Sequence, residues 1–290
     1  NISSARSNAG GLIGSSVEQI GLITDIEING DIAGNLNGVS DGWGTYYGHS
    51  GGLVGKNISG IQEIDNVKYR GNVTSHTNHA GGLIGEAEGE IGLITYIDIK
   101  GNITGNLNGV SDEWGTHYGH SGGLVGKNLN GVGEINNVII TAEITSLGGD
   151  TGGLIGELLG ITNINNVKIL NSKIKGDNGN VGGLIGSTRL ENDEFHDVEI
   201  SGSIEGVGII DNEYNFNSKG IGGLIGFTEY ISNNSNVVIE SDIIGVNNVG
   251  KLYGITQAEV EVEPTGYTFE GSLIGTGENI GGTIGLRLTP

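Results

Sequence analysis

The chain has 290 residues, of which 34 are acidic and 13 are basic, so its formal net charge is −21 with histidine neutral. This excess of negative charge argues against nucleic acid and against anionic membrane surfaces as partners. The absence of cysteine excludes a disulfide framework and a cysteine-based zinc site. No stretch approaches the ~18 apolar residues of a membrane span. The 58 glycines lack a strict three-residue period, which excludes collagen.

A five-residue word, Gly-Gly-Leu-Ile/Val-Gly, recurs along the chain from its beginning. Its good copies start at Gly10, Gly51, Gly81, Gly122, Gly152, Gly182 and Gly222, and degenerate copies start at Gly250, Gly271 and Gly281. The steps between the good copies are 41, 30, 41, 30, 30 and 40 residues, so a period of 30 is sometimes expanded. A fixed period in this range predicts stacked repeats, none of which buries its apolar face alone.

A longer duplication overlies the repeat. Residues 10–57 align without a gap with residues 81–128, at an offset of 71, and 36 of the 48 positions are identical. This similarity predicts a fold that grows by the addition of units.

Each repeat has the pattern of short strands. Apolar and polar residues alternate in Ile26-Glu27-Ile28-Asn29 and in Ile97-Asp98-Ile99-Lys100, and no window has a helical period. We therefore predict an all-β fold, a right-handed parallel β-helix (β-solenoid) of about eight or nine rungs with ~30 residues per rung. An inward ladder should form from the leucines of the words: Leu12, Leu53, Leu83, Leu124, Leu154, Leu184 and Leu224.

The glycines of the word have two possible explanations. Either the chain adopts positive φ at a corner, or the rungs approach too closely for a Cβ atom. A β-sandwich with glycine-rich turns is the alternative fold, but it predicts no constant 30-residue word.

The segment GGLIGELLGITNINNVKILNSKIKG, residues 152–176, resembles the GLUG motif, and GGLVGKN at 51–57 and 122–128 is similar to the opening of that motif. The resemblance covers roughly residues 9–250. GLUG repeats occur in large bacterial surface proteins, including adhesin-like proteins and zinc-type immunoglobulin A peptidases. The resemblance implies a parallel β-helix in an extracellular or cell-surface context. It brings no catalytic residue, because the peptidase signature His-Glu-x-x-His is absent from this chain.

Three insertions expand the repeat, at 35–49, 106–120 and 206–219. They contain seven of the fifteen aromatic residues, and both tryptophans, beside polar residues. Such a mixture is typical of surfaces that bind glycans or proteins. The predicted ligand-binding residues are Trp43, Tyr46, Tyr47, Trp114, His117, Tyr118, Tyr214 and Phe216. Alternatively, each aromatic side chain packs against its own loop or the adjoining sheet.

Histidines recur two residues before a Gly-Gly pair. His49, His79 and His120 hold this place in successive repeats, and Asp150 holds it in the next. Imidazoles ~4.8 Å apart are candidate ligands of a shared divalent metal, with Asp150 at one end. The alternative is a polar ladder that exchanges hydrogen bonds at a corner. Calcium is a further possible ion, with acidic residues in the insertions as ligands, although no calcium-binding loop motif is present.

The sequence predicts no enzyme, because its four arginines are scattered and no carboxylate pair is placed together by the period. The predicted solenoid covers residues 1–249, and residues 250–290 are predicted to form degenerate final rungs, a cap or a donor strand. Because the chain starts at Asn1 without methionine or a signal region, we expect a mature secreted protein or a piece of a longer one.

The predicted function is a non-enzymatic structural and adhesive module of a bacterial surface protein. Its partners would be a glycan, a surface protein of a host or neighbouring cell, or copies of itself. The alternatives are a self-assembling extracellular filament subunit, built from solenoids stacked end to end, and a polysaccharide-active β-helix enzyme.

Overall fold

The computed structural model describes the whole chain except residues 6, 35–39, 42–43, 46–47, 106–110, 113–114, 117–118, 161, 190–193, 209–217, 259–263 and 289–290, and it describes residues 40–41, 44–45, 111–112 and 115–116 by their backbone alone. In this part of the chain every regular element is a β-strand. Three parallel sheets, here called A, B and C, run along the molecule, and successive repeats add one or two strands to sheet A and one strand each to sheets B and C. This arrangement of strands is a parallel β-helix, and it agrees with the prediction of a right-handed coil.

Sheet A has 14 strands and contains the long strand of each repeat. Its strands are Ile2–Ser3, Ile20–Asn29, Ile32–Gly34, Ile61–Arg70, Val73–Ser75, Ile91–Lys100, Ile103–Gly105, Val132–Thr141, Glu143–Ser146, Thr162–Gly176, Glu194–Gly206, Asn233–Gly245, Tyr267–Phe269 and Leu273–Gly275.

Sheets B and C are formed by the glycine-rich word and the residues around it. The eight strands of sheet B are Ala9–Gly10, Ser50–Gly51, Ala80–Gly81, Ser121–Gly122, Thr151–Gly152, Val181–Gly182, Ile221–Gly222 and Val249–Gly250. The nine strands of sheet C are Ile13–Ser16, Val54–Asn57, Ile84–Ala87, Val125–Asn128, Ile155–Leu158, Ile185–Thr188, Ile225–Thr228, Tyr253–Thr256 and Ile284–Arg287. Two antiparallel hairpins pair Ser40–Asp41 with Gly44–Thr45 and Ser111–Asp112 with Gly115–Thr116.

The leucine ladder is confirmed, with one exception. Six of the predicted leucines, from Leu53 to Leu224, are fully buried, and Leu252 continues their row. Leu12 is 53% exposed, because its repeat is the first in the stack and no described strand of sheet C lies on its outer side.

Close approach, rather than positive φ, explains the glycines of the word. A Cβ atom on Gly51 would lie 2.0 Å from the carbonyl oxygen of Val54, and one on Gly52 would lie 2.1 Å from that of Gly82. Neither glycine has a φ in the left-handed region. Any side chain at these places would therefore force neighbouring repeats apart.

A left-handed corner occurs instead inside the long strands of sheet A. One residue there has φ between +49° and +57° in seven successive repeats: Asp25, Asn66, Tyr96, Asn137, Asn166, Asp197 and Asn236. Asparagine and aspartate adopt this conformation most readily among residues with a Cβ. The amides of Asn66 and Asn236 each donate at 2.6 Å to the aspartate of an adjacent repeat, which supports the corner.

Two of the degenerate words occupy different places in the structure. The word at Gly281 extends the stack, because Ile284–Arg287 pairs with Tyr253–Thr256 in sheet C. The word at Gly271 does not, because Leu273–Gly275 pairs with Ile243–Gly245 in sheet A. The regular step from Gly250 is thus to Gly281, 31 residues on, and the resemblance of residues 271–275 to the word is misleading.

Candidate functional site

The predicted histidines form a buried stack at the corner that precedes sheet B. The ring centroids of His49 and His79 are 4.9 Å apart, and those of His79 and His120 are 5.0 Å apart. All three side chains, and Asp150 after them, belong to residues that are at most 8% exposed. They share this row because the residues that follow them pair in register in sheet B.

Hydrogen bonds run along this row, which we call the corner column, in a single direction. At five steps the side chain of one residue accepts the backbone N–H of the equivalent residue in the next repeat, whereas the buried Nδ1 of His49 accepts none from the described residues. The donor–acceptor pairs are His49 N to Asn8 Oδ1 (2.9 Å), His120 N to His79 Nδ1 (2.9 Å), Asp150 N to His120 Nδ1 (3.0 Å), Asn180 N to Asp150 Oδ1 (2.7 Å) and Gly220 N to Asn180 Oδ1 (2.9 Å). The column thereby satisfies buried backbone donors that the sheets leave unpaired.

These bonds fix the tautomer of two imidazoles. Because Nδ1 of His79 and of His120 accepts a hydrogen bond, the proton of each neutral ring lies on Nε2. His120 Nε2 lies 3.2 Å from a carboxylate oxygen of Glu157, and His79 Nε2 lies 4.0 Å from one of Glu86. Such rings offer no free lone pair to a metal ion. The geometry is that of the hydrogen-bonded polar ladder, and a metal role for these residues stays a prediction.

A second row of charged side chains lies beside the corner column, in sheet C. Register places Lys56 next to Glu86, Glu86 next to Lys127, and Lys127 next to Glu157. Lys56 Nζ is 2.9 Å from Glu86 Oε2, and Lys127 Nζ is 2.6 Å from Glu157 Oε2. We call this row the charge column. Ser15 and Ser187 occupy the positions at its two ends.

The two columns meet in two equivalent clusters. His49 Nε2 contacts Glu86 Oε2 at 2.9 Å, which links the first histidine to the first Lys–Glu pair. Possible metal ligand atoms lie within 4.8 Å of one another in two groups, His49 with His79 and Glu86, and His120 with Asp150 and Glu157. In both groups, however, a lysine already neutralises the glutamate.

Sequence reasoning found the histidines but missed the two lysines and the two glutamates. Adding the duplication offset of 71 to His49, Lys56 and Glu86 gives His120, Lys127 and Glu157. The position equivalent to His79 at the same offset is Asp150, so the second cluster has a carboxylate where the first has an imidazole. Extending the alignment beyond residue 128 would have revealed these residues as a repeated set.

Burial and neighbouring charges shift the pKa values in both clusters. Burial acts to raise the pKa of Glu86, but hydrogen bonds and charges from His49 and Lys56 outweigh it and lower that pKa to about 2. Burial, followed by the charges of His49 and His120, holds the pKa of His79 well below 6.5. Burial also lowers the pKa of His120, although Glu157 and Asp150 oppose the shift. Both rings are therefore neutral at pH 7.

Asp150 stays ionised despite its burial. Burial alone would raise its pKa, but the charges of His120 and Lys219, with a hydrogen bond from Ser187, lower it. Ser187 Oγ donates to Asp150 Oδ2 at 2.6 Å, and Asn180 Nδ2 donates to Oδ1 at 2.9 Å. The carboxylate is thus held in one orientation at the edge of an open cleft.

This cleft has a volume of about 410 Å³. Its lining includes His79, His120, Lys127, Asp150, Glu157, Arg189 and Lys219, together with Gly148, Gly149 and Gly179 from the two short corners at its floor. The lining is strongly polar, which suits a hydrophilic ligand better than a lipid or an aromatic molecule.

The predicted contact residues of the insertions lie outside the described residues or side chains. These are Trp43, Tyr46, Tyr47, Trp114, His117, Tyr118, Tyr214 and Phe216. The acidic insertion residues considered for calcium are likewise outside the described side chains: Asp41, Asp112, Glu113, Asp211 and Glu213.

Comparison of the chain with protein-family models, with curated proteins and with solved structures found no match. The similarity to GLUG repeats therefore rests on the residues and spacing of the word alone. Within the described residues, no helix has the length and apolar character needed to cross a membrane.

Proposed function

We propose that this chain is a non-enzymatic extracellular module with a structural and adhesive role at a bacterial surface. The solenoid is the scaffold, and the three insertions supply the contact surface for a glycan or a surface protein. The corner column and the charge column hold the scaffold rigid directly beneath that surface.

The observation that supports this proposal is the common origin of the insertions. Gly34 and Gly105, which precede the first two insertions, and Gly206, the first residue of the third, stack in one row of sheet A. Residues that follow the insertions, Ser50, Ser121 and Ile221, stack in one row of sheet B. All three insertions therefore start and end at equivalent positions along one edge of the solenoid. Loops on a rigid scaffold are common binding surfaces.

The test is binding of the chain to a glycan array and to immobilised cell-surface protein before and after the double substitution Trp43→Ala and Trp114→Ala. We expect the double variant to lose binding and to keep the circular dichroism spectrum of strands. Tyr96→Ala is the matched control, because Tyr96 is 61% exposed at the left-handed corner of sheet A, away from the insertions. Equal binding by the tryptophan variant and the original chain would refute the adhesive role.

A filament subunit is the second candidate, and exposed apolar side chains on the first repeat favour it. Leu12 is 53% exposed, Val17 is 64% exposed and Leu22 is 60% exposed. A second copy stacked on this repeat would bury Leu12, as the stack buries its equivalent Leu53, and would reduce the exposure of the other two. Sedimentation velocity over a range of concentrations tests the idea. The candidate predicts polymers that Leu12→Lys with Leu22→Lys abolishes, whereas discrete monomers at every concentration would contradict it.

A further inference from the structure

The cleft lies at the edge of the solenoid where the corner column runs, and described residues of successive repeats line it. The corners at 147–150 and 177–180 carry no insertion, whereas the repeat before them carries residues 106–120 and the repeat after them carries 206–219. At ~4.8 Å per rung, the two insertions begin roughly 14 Å apart. The cleft itself, about 410 Å³ and lined by described residues of these corners, has room for one unit of an extended polar chain.

The cleft is locally positive in a chain that is strongly negative overall. It gathers three of the 13 basic side chains, Lys127, Arg189 and Lys219, but only two carboxylates, Asp150 and Glu157. With the imidazoles neutral, these five groups sum to one positive charge.

Two of the basic groups have no carboxylate within ion-pair distance among the described residues, and the charge of one of them, Lys219, acts on Asp150 from farther away. Lys127 is neutralised by Glu157 at 2.6 Å. Arg189 is exposed and Lys219 is half-buried, and neither makes an ion pair with any described residue. An arginine and a lysine that line the same cleft suit a carboxylate, because guanidinium offers a planar fork and ammonium adds a point charge.

The remaining lining restricts the class of anion. Ionised Asp150 and Glu157 repel a ligand that carries several negative charges, but they accept hydrogen bonds from hydroxyl groups. Asn78 and Asn178 add neutral amides to the lining. One carboxylate attached to a ring rich in hydroxyl groups satisfies both the basic and the acidic side chains.

We propose that this cleft binds a carboxylate-bearing saccharide, with the carboxylate of a uronic-acid unit between Arg189 and Lys219 and its hydroxyl groups towards Asp150 and Glu157. This inference deepens the proposed adhesive function and rests on it. It concerns described residues only, so it is tested separately from the aromatic insertions.

The test is isothermal titration of the full chain with a galacturonic acid trisaccharide, a neutral galactose trisaccharide and a sulfated galactose trisaccharide. We expect the uronate to bind, and Arg189→Gln with Lys219→Gln to weaken it at least about tenfold, the usual effect of losing charge-assisted hydrogen bonds. Lys68→Gln with Lys100→Gln is the control, since it makes the same change in net charge at exposed lysines of sheet A. The control variant should bind the uronate within twofold of the original chain.

Three results would overturn the inference: no binding of the uronate, equal binding of the uronate and the neutral sugar, or tighter binding of the sulfated sugar. Loss of uronate binding in the control variant to the same degree would also overturn it, because the effect would then come from net charge. If the uronate fails while Trp43→Ala with Trp114→Ala still abolishes binding on the array, the adhesive function stands and only the ligand class is wrong.

Discussion

The corner column makes the stability of the solenoid depend on pH, and His79→Asn isolates the contribution of one ring. Asn180 occupies the same column and its Oδ1 accepts the N–H of Gly220 at 2.9 Å. An asparagine at position 79 therefore preserves the acceptor for the N–H of His120, which His79 Nδ1 now accepts at 2.9 Å. The substitution removes a titrating group and keeps its hydrogen bond.

The sign and size of the effect follow from the lowered pKa of His79. The unfolded chain takes up a proton at this residue below pH ~6.5, whereas the folded chain does not, so acid favours the unfolded state. Each such proton costs about 1.4 kcal/mol of unfolding free energy per pH unit. Because the unfolded residue is half protonated at pH 6.5, His79 alone should therefore remove up to about 2.3 kcal/mol between pH 6.5 and 4.5.

The groups that face His79 favour its neutral form. His49 and His120 stack on its two faces, and Lys56 and Lys127 add positive charge, so all four oppose protonation. Glu86 lies 4.0 Å from Nε2, beyond hydrogen-bond distance, and cannot compensate for the loss of hydration.

The assay is urea denaturation at pH 7.5, 6.5, 5.5 and 4.5. We expect the free energy of unfolding of the original chain to fall steeply below pH 6.5. For His79→Asn the fall should be shallower, by up to about 1.4 kcal/mol per pH unit. His196→Asn is the control, because His196 is exposed and lies outside the column, and its curve should parallel the original. Parallel curves for His79→Asn and the original chain would refute the reasoning.

Three further denaturation experiments test other parts of the structure. Glu86→Gln should lower the free energy of unfolding by up to about 3 kcal/mol at pH 7, because the pKa of Glu86 is lowered to about 2 in the folded chain. The ionised carboxylate stabilises the fold above pH ~4.5, and this stability is lost as the pH falls towards 2. An equal loss at pH 7 and pH 2 would contradict this role. Gly82→Ala places a Cβ atom 2.0 Å from the carbonyl oxygen of Gly123 and should cost about 3 kcal/mol or more, whereas Gly14→Ala meets nothing closer than 3.4 Å and should cost under about 1 kcal/mol. Leu154→Ala should lower the free energy of unfolding by about 3–5 kcal/mol, because Leu154 is fully buried. Leu12→Ala should lower it by under about 1 kcal/mol, because Leu12 is 53% exposed. Similar losses at the two positions would show that the leucine row is not the core.

The fold was predictable because its signal repeats. A constant word forces equivalent residues into rows, so the burial of Leu53 and its successors follows from spacing alone. The left-handed corner at Asn66 was harder to place, because asparagine is abundant throughout this chain. Only the three-dimensional register shows which asparagine adopts the left-handed backbone conformation.

The site was predictable only in part, because contacts in a parallel stack join residues about 30 positions apart. His49 meets Glu86 across such a step, and no local pattern around either residue indicates the contact. Lys219 and Arg189 reach one cleft for the same reason. The histidines were visible because they precede the word at a constant distance.

The charge column bears on how the number of repeats in this protein can change. The duplicated unit of 71 residues spans two rungs and carries one lysine and one glutamate of that column. Such a unit has opposite charges at its two faces, so tandem copies always bring a lysine against a glutamate, as Glu86 meets Lys127 here. Deleting one rung would instead set Lys56 against Lys127. Unequal recombination in steps of two rungs therefore keeps the array electrostatically matched, and a change by one rung in this region introduces a like-charge contact.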